Sequence, residues 1–153
     1  TKDPNHLHSL IPDPPAAAVV REIYQLYLDG LSLSKIASLL TKKQVMPPCF
    51  YKIQHGILFQ TPFSKNKITD EADGKIPKWS ASSVRHILTN PVYTGTLIQG
   101  TTKKESAKSK KRIRLSSTEW IIYPNAHPAL ISEDMFCEVS SLLQKRRKKN
   151  KKV

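Results

Sequence analysis

Residues 78–99, KWSASSVRHILTNPVYTGTLIQ, contain a capped helix, its stop and the start of a strand in one short stretch. Ser80 offers a side-chain oxygen to the free N–H groups of a first turn, the role that favours serine at helix starts. Val84, Ile87 and Leu88 then recur at helical spacing and define an inward face. Asn90-Pro91 stops the helix, because proline drives the residue before it out of the helical region. Ala81, Ser82, Ser83, Arg85, His86 and Thr89 are left for the open face. From Val92 to Gln99 the β-branched and aromatic residues predict a strand. With helices on its N-terminal side and strands on its C-terminal side, the expected fold is mainly α with a small β-hairpin and a helix-turn-helix-like core.

Upstream, Asp13 offers an N-cap and Pro14 and Pro15 occupy a first turn, where a missing N–H costs nothing. Ala16, Val19, Val20, Ile23, Leu26 and Tyr27 follow at three- and four-residue spacing, and Gly30 is the natural stop, which predicts a helix over 14–29. Ser32 caps a second helix over about 33–43, with Leu33, Ile36, Ala37, Leu39 and Leu40 inward. The short join around Gly30 is the corner of a helix-turn-helix. Pro47 and Pro48 end this region, and residues 47–78 read as irregular, with a small hairpin around Gly56 over Ile53–Phe59. Downstream, residues 100–114 read as a flexible basic loop and Trp120-Ile121-Ile122-Tyr123 as a second strand, together a hairpin with a lysine-rich tip. A last helix begins at Ser132, carries Glu133 and Asp134 in its first turn, and turns Phe136, Val139, Leu142 and Leu143 inward. The expected organisation is an extended linker arm at 1–12, a domain at 13–146 and a basic tail at 147–153.

The net charge is +13, from 25 Lys and Arg against 12 Asp and Glu, and it is localised. Residues 103–114, KKESAKSKKRIR, hold seven basic groups against Glu105, and residues 145–152 hold seven and no acid. Residues 31–93 carry nine Lys and Arg against Asp70, Glu71 and Asp73. Clustered positive charge suits a polyanion partner, since each neutralised phosphate releases a counterion. No apolar run approaches the roughly 18 residues of a membrane span, and the first 15 residues lack the apolar core of a signal peptide. The expectation is a soluble, cytoplasmic protein, read as an excised fragment because it opens on Thr1 and stops inside a lysine run. Cys49 and Cys137 stand far apart with no Cys-x-x-Cys, which excludes a zinc ribbon or a disulfide framework and leaves the expectation of two buried thiols in a reducing cytosol.

Chemistry-bearing patterns are sparse. His6, His8, His55, His86 and His127 have no Cys or carboxylate partner at ligand spacing and read as solvated, so no metal or other cofactor is expected. There is no Gly-x-Ser-x-Gly, no phosphate-cradling glycine loop, and the acids at Asp70, Glu71 and Asp73 lie in a polar linker, so no catalytic residue is assigned. Small polar residues with one Arg and one His on the open face of a short helix can reach base edges in a major groove, and Arg can take guanine with two hydrogen bonds.

Taken in order, several segments resemble a known family. They are Lys2-Asp3-Pro4, Asp13-Pro14 leading to Val19-Val20-Arg21-Glu22-Ile23-Tyr24-Gln25-Leu26-Tyr27, then Gly30, Ser32 and Ile36-Ala37-Ser38-Leu39-Leu40. Trp79-Ser80, Val84-Arg85-His86-Ile87-Leu88, Asn90-Pro91-Val92-Tyr93-Thr94-Gly95 and His127-Pro128-Ala129-Leu130-Ile131 complete the set. The chain resembles the recombinase domain of large serine recombinases, the phage integrases and transposon resolvases of bacteria. The link from Gln44 to Lys78 is longer than that family usually has. The resemblance implies a DNA-binding part that follows a catalytic domain and precedes a zinc-ribbon domain, both absent here, so this fragment is expected to be no enzyme. Implied partners are double-stranded DNA at an attachment or transposon-end site and those two parent domains, with the isolated fragment monomeric. Ser80, Ser82, Ser83, Arg85 and His86 would read bases. Lys78 and the loop cations Lys103, Lys104, Lys110, Lys111, Arg112 and Arg114 would hold phosphates or reach into an adjacent groove, and residues 1–10 would follow the minor groove.

Three rivals use the same features less well. A stand-alone helix-turn-helix transcriptional regulator needs a dimer surface, and no heptad or apolar stripe supplies one. A nuclease or recombinase fragment needs a nucleophile or metal cluster. An RNA-binding module needs aromatics on an exposed sheet, whereas the five Tyr, four Phe and two Trp fall mostly at core-like positions.

Overall fold

The computed structural model describes residues 10–56, 77–106, 108–109 and 111–150, with residues 148–150 described by backbone alone. The fold is mainly α, with short antiparallel strand pairs. Helices α1 (Pro14–Leu28), α2 (Leu33–Lys42), α3 (Pro48–Gln54) and α4 (Ala81–Leu88) precede a 3-10 helix at Pro91–Thr94. Strands β1 (Leu97–Gln99), β2 (Thr102–Lys104), β3 (Arg112–Arg114) and β4 (Ile121–Tyr123) follow, with a 3-10 helix at Ser117–Glu119 before β4, and α5 (Glu133–Asn150) closes the chain. The chain divides into two compact units, Gln25–Leu88 and the remainder.

In the Gln25–Leu88 unit, α1 ends as the sequence predicts. Gly30 takes φ +95°, its N–H bonds to the Tyr27 carbonyl at 3.1 Å, and the Leu31 N–H reaches back to Leu26 at 3.1 Å. That pair of bonds satisfies carbonyls that a helix end would otherwise orphan. Ser32 caps α2, accepting from the Lys35 N–H at 3.3 Å. α2 ends by the same device at Gln44, which has φ +59° although it is not glycine, with Gln44 N–H on Thr41 and Val45 N–H on Leu40 at 3.0 Å each. Helix α2 packs against α4. Tyr27, Ile36, Ala37, Leu40, Trp79, Val84, Ile87 and Leu88 are the unit's buried apolar residues.

Pro47 and Pro48 correct the sequence reading of this region. They do not end the structure but start α3, Pro47 as its extended N-cap and Pro48 inside its first turn. Proline at a first helical position loses no bond and arrives with a helical φ. Ile53 and Gln54 are therefore helical rather than the first arm of a hairpin, and residues 57–59 of that proposed hairpin lie outside the described residues.

In the other unit, Ala17, Val20, Ile23, Tyr24, Ile131, Val139 and Leu143 are buried, with Thr94 as a buried polar residue. Residues 92–94 are not strand. Asn90 accepts from the Val92 N–H at 3.2 Å and Pro91 opens the 3-10 helix, so β-branched residues there serve a tight turn. The Tyr93 carbonyl accepts from both Leu130 and Ile131 N–H, at 2.8 and 3.0 Å, and the Gly95 carbonyl accepts from Ala126 at 2.9 Å. These bonds pin the 126–131 segment to the turn. Strand β1 pairs with β4, Leu97 opposite Tyr123 and Gln99 opposite Ile121. The expected flexible loop is also corrected: β2 and β3 pair, Thr102 opposite Arg114, Lys103 opposite Ile113 and Lys104 opposite Arg112. Alternation of Lys and Arg with Thr and Ile gave no apolar face to read, but backbone pairing needs none. Trp120 stands just before β4 rather than in it. Helix α5 begins with Ser132 accepting from Met135 N–H at 3.3 Å and runs to Asn150, so the backbone of residues 145–150 is helical. Lys and Arg are good helix formers, and the last turn of a helix favours cations. Among the described residues no helix is long and apolar enough to cross a membrane.

Two glycines with positive φ distinguish backbone strain from steric clash. A Cβ on Gly30 would meet nothing within 4 Å, whereas one on Gly95 (φ +83°) would stand 2.7 Å from the His127 carbonyl oxygen. Gly30→Ala should cost about 1 kcal/mol, the left-handed penalty alone, and Gly95→Ala about 2–4 kcal/mol because a backbone clash adds to it. Urea unfolding of the two variants checks the order, and equal losses would reject the clash.

Candidate nucleic-acid interface

Helix α4 is held by the residue before its cap. Trp79 is buried, its backbone N–H donates to Thr41 Oγ1 at 3.0 Å and its indole Nε1 donates to the Val45 carbonyl at 2.8 Å. The Thr41 hydroxyl in turn donates to the Ala37 carbonyl at 2.8 Å. A buried indole with its N–H satisfied contributes large apolar contact and a fixed direction together. Ser80 then caps α4, accepting the Ser83 N–H at 3.0 Å, and its hydroxyl lies 2.9 Å from that of Ser83.

Of the residues expected to read bases, Ser82, Arg85 and His86 are exposed, as are Lys78 and Ser80, while Ser83 is half-buried. Ser82, Arg85, His86 and Thr89 recur at three- and four-residue spacing, so the first three share one face of α4, with Thr89 just past its end. Ser80 and Ser83 spend their hydroxyls on the cap. The described residues of this unit carry Lys35, Lys42, Lys43, Lys52, Lys78 and Arg85 against Asp29 as the one acid. Lys35, Ser38 and Lys42, with Ser34, line a shallow depression on the outer side of α2. The sequence reading passed over them, although their spacing marked the polar face of a helix whose apolar face it used.

The second set of cations lies in the other unit. Lys103, Lys104, Lys111, Arg112 and Arg114 are all exposed on or beside the β2–β3 ribbon, and Lys110 lies outside the described residues. The ribbon is closed at both ends by backbone bonds, Leu115 N–H to Thr101 at 2.9 Å and Glu105 N–H to Lys111 at 3.1 Å. Lys111 Nζ also pairs with Glu105 Oε1 at 3.0 Å. The backbone positions that carry these cations are therefore fixed relative to one another.

His127 corrects the expectation of solvated histidines. It is half-buried, with Nε2 2.6 Å from the Val92 carbonyl and Nδ1 buried without a partner. A carbonyl only accepts, so Nε2 carries the proton. Burial pushes the phenol of Tyr24 well above its ordinary range, with nearby Tyr93 adding to it, and burial likewise raises Tyr93. Both stay neutral near pH 7. Among the described residues no three His, Cys, Asp or Glu side chains gather as a metal site would require.

Comparison with known proteins adds an independent line. A family model described as Recombinase matches residues 14–146. The uncharacterized protein YefB of Bacillus subtilis (strain 168) is 38% identical over 72 residues, which is 47% of this chain and 24% of that protein. The match thus spans about a quarter of that relative's length. No solved structure matches the chain.

The tether under α4 has a measurable weight. Thr41→Val keeps the shape but removes the acceptor of the Trp79 N–H, and should cost about 1–3 kcal/mol for a buried group left unpaired. Ser80→Ala should cost about 1 kcal/mol, the value of a lost cap. Urea unfolding followed by circular dichroism measures both, and a neutral Thr41→Val would show that the tether carries no stability.

Proposed function

The chain belongs to the Recombinase family, which ties it to site-specific recombination, and we propose that it is the part that grips duplex DNA at the recombination site. The observation that carries this is the placement of its charge. Each compact unit presents exposed cations on regular elements, α2 and α4 in one and the β2–β3 ribbon in the other. A solvated tail would need no such framing, and a polyanion supplies the countercharge.

The roles divide by geometry. Ser82, Arg85 and His86 on α4 face outward from a helix fixed at its start, so they read base edges in the major groove, Arg85 on guanine. Lys78, Lys103, Lys104 and Lys111 are flexible point charges that need only proximity, so they hold phosphates. The strand-breaking chemistry lies in a catalytic domain of the parent recombinase, with this fragment supplying position alone, as a monomer on one half-site. Its place of work is the bacterial cytoplasm, where the DNA is.

Two measurements test this. If roughly six phosphates are neutralised, log affinity against log salt should fall with a slope of about −5; a slope near zero would remove the electrostatic footprint. Arg85→Ala should cost about 1–3 kcal/mol on a duplex selected by the chain from a randomised pool and relax preference at one or two base pairs. The double variant Lys103→Ala with Lys104→Ala should weaken selected and scrambled duplexes by similar factors. If Arg85→Ala weakens both duplexes equally, α4 is not the reader.

A further inference from the structure

The β2–β3 ribbon has two chemically different faces. Side chains alternate across a strand, and residues directly opposite in an antiparallel pair share a face. Thr102 with Arg114 and Lys104 with Arg112 therefore lie on one face, and Lys103 with Ile113 on the other. Lys104 opposite Arg112 is a like-charge pair, an arrangement that weakens a ladder unless an anion lies over it. The segment from 100 to 123 contains two acids, and each is engaged elsewhere. Glu105 pairs with Lys111, and Glu119 accepts the Ser116 N–H at 3.2 Å in a capping box. No acid of this segment is left to offset the charge of this face, and a polyanion laid over it would do so.

Arg114 differs from its neighbours in being held. Its guanidinium carbon lies 5.7 Å from the centroid of the Trp120 ring, within the range of a cation–π contact. The ring is itself fixed, because its Nε1 donates to the Leu115 carbonyl at 3.1 Å. A phosphate contact requires only charge and would be served as well by lysine. A planar fork oriented in advance matches the paired acceptors of a guanine edge, and less freedom is lost when it binds. A two-stranded ribbon also fits the width of a major groove.

Resting on the reading that the chain grips duplex DNA, we propose that Arg114 is a second base-reading residue, directed at guanine, and that Trp120 is the residue that positions it. Specificity then comes from both units, with the rest of the ribbon supplying charge.

The experiment uses the full chain and duplexes that it enriches from a randomised pool, with a scrambled duplex of the same composition for comparison. Arg114→Lys keeps the charge and loses the fork, and should weaken the enriched duplex about 5- to 100-fold while changing the scrambled one by no more than about twofold. Arg112→Lys should leave both within about twofold. Trp120→Leu should lose discrimination as Arg114→Lys does, and Trp120→Phe, which retains an aromatic face, should restore most of it. Amide hydrogen exchange at Glu105 and Leu115 shows whether the ribbon stays paired, so that a lost platform is separated from an unfolded strand pair. An Arg114→Lys variant with unaltered discrimination overturns the proposal and leaves the DNA-binding reading standing. A pool from which the chain enriches nothing brings down both.

Discussion

The indole N–H of Trp79 and the carbonyl of Val45 form the bond on which the α2–α4 arrangement turns. Val45 is available because α2, which ends at Lys42, is followed by a left-handed turn at Gln44 that brings the Val45 N–H back to Leu40 and leaves the Val45 carbonyl outside the helical ladder. A backbone conformation that a non-glycine residue adopts at a cost thus creates the acceptor for a tryptophan 34 residues further along. Once the indole is seated, Ser80 must start a helix where it does, and the direction of Ser82, Arg85 and His86 follows from helical geometry. The open face of α4 is therefore set by contacts made beneath it.

The other unit depends on a comparable economy of backbone groups. One carbonyl, that of Tyr93, accepts two N–H groups from residues 130 and 131, and Gly95 admits the 126–131 segment to a distance that a side chain would block. Tyr24 and Tyr93 are neutral phenols near pH 7, and burial pushes their titration further up. Positive charge is displaced outward onto strands short enough to expose every residue of β2 and β3. Edges of that kind would invite pairing with other chains, and their lysines and arginines oppose it by repulsion. The charge that suits a polyanion thus also keeps the ribbon from aggregating.

Family membership and charge placement bear on different questions. The match over residues 14–146 assigns the chain to recombination without identifying which side chains touch DNA. The geometry names candidates without a partner present. They meet at α4 and the ribbon, where exposed cations stand on hydrogen-bonded elements. Such elements lose little freedom on binding, which is the condition for fixed side chains to discriminate among bases and not merely attract phosphates.

Local signals in the sequence were sufficient wherever the physics is local. Pro14, Gly30, Ser32, Ser80, Asn90 and Ser132 each act within four residues of themselves, so α1, α2, α4 and the start of α5 were legible from caps, stops and apolar spacing. Legibility failed where the deciding partner is distant or where a residue type serves two roles. Pro47-Pro48 can stop one helix or start another, and Val92-Tyr93-Thr94 suits a strand or a tight turn. Only the surrounding hydrogen bonds decide between them. The β2–β3 ribbon was hidden because its pairing is carried by backbone groups that every residue shares, while its side chains spell a solvated loop. The placement of cations on one ribbon face, the Trp120 platform under Arg114 and the tether of Trp79 to Val45 each require two segments to meet. Apolar periodicity with caps and stops determined α1, α2, α4 and α5, and tertiary hydrogen bonding decided which way the charged face of α4 points, because a direction in space is fixed only by what a segment is bonded against.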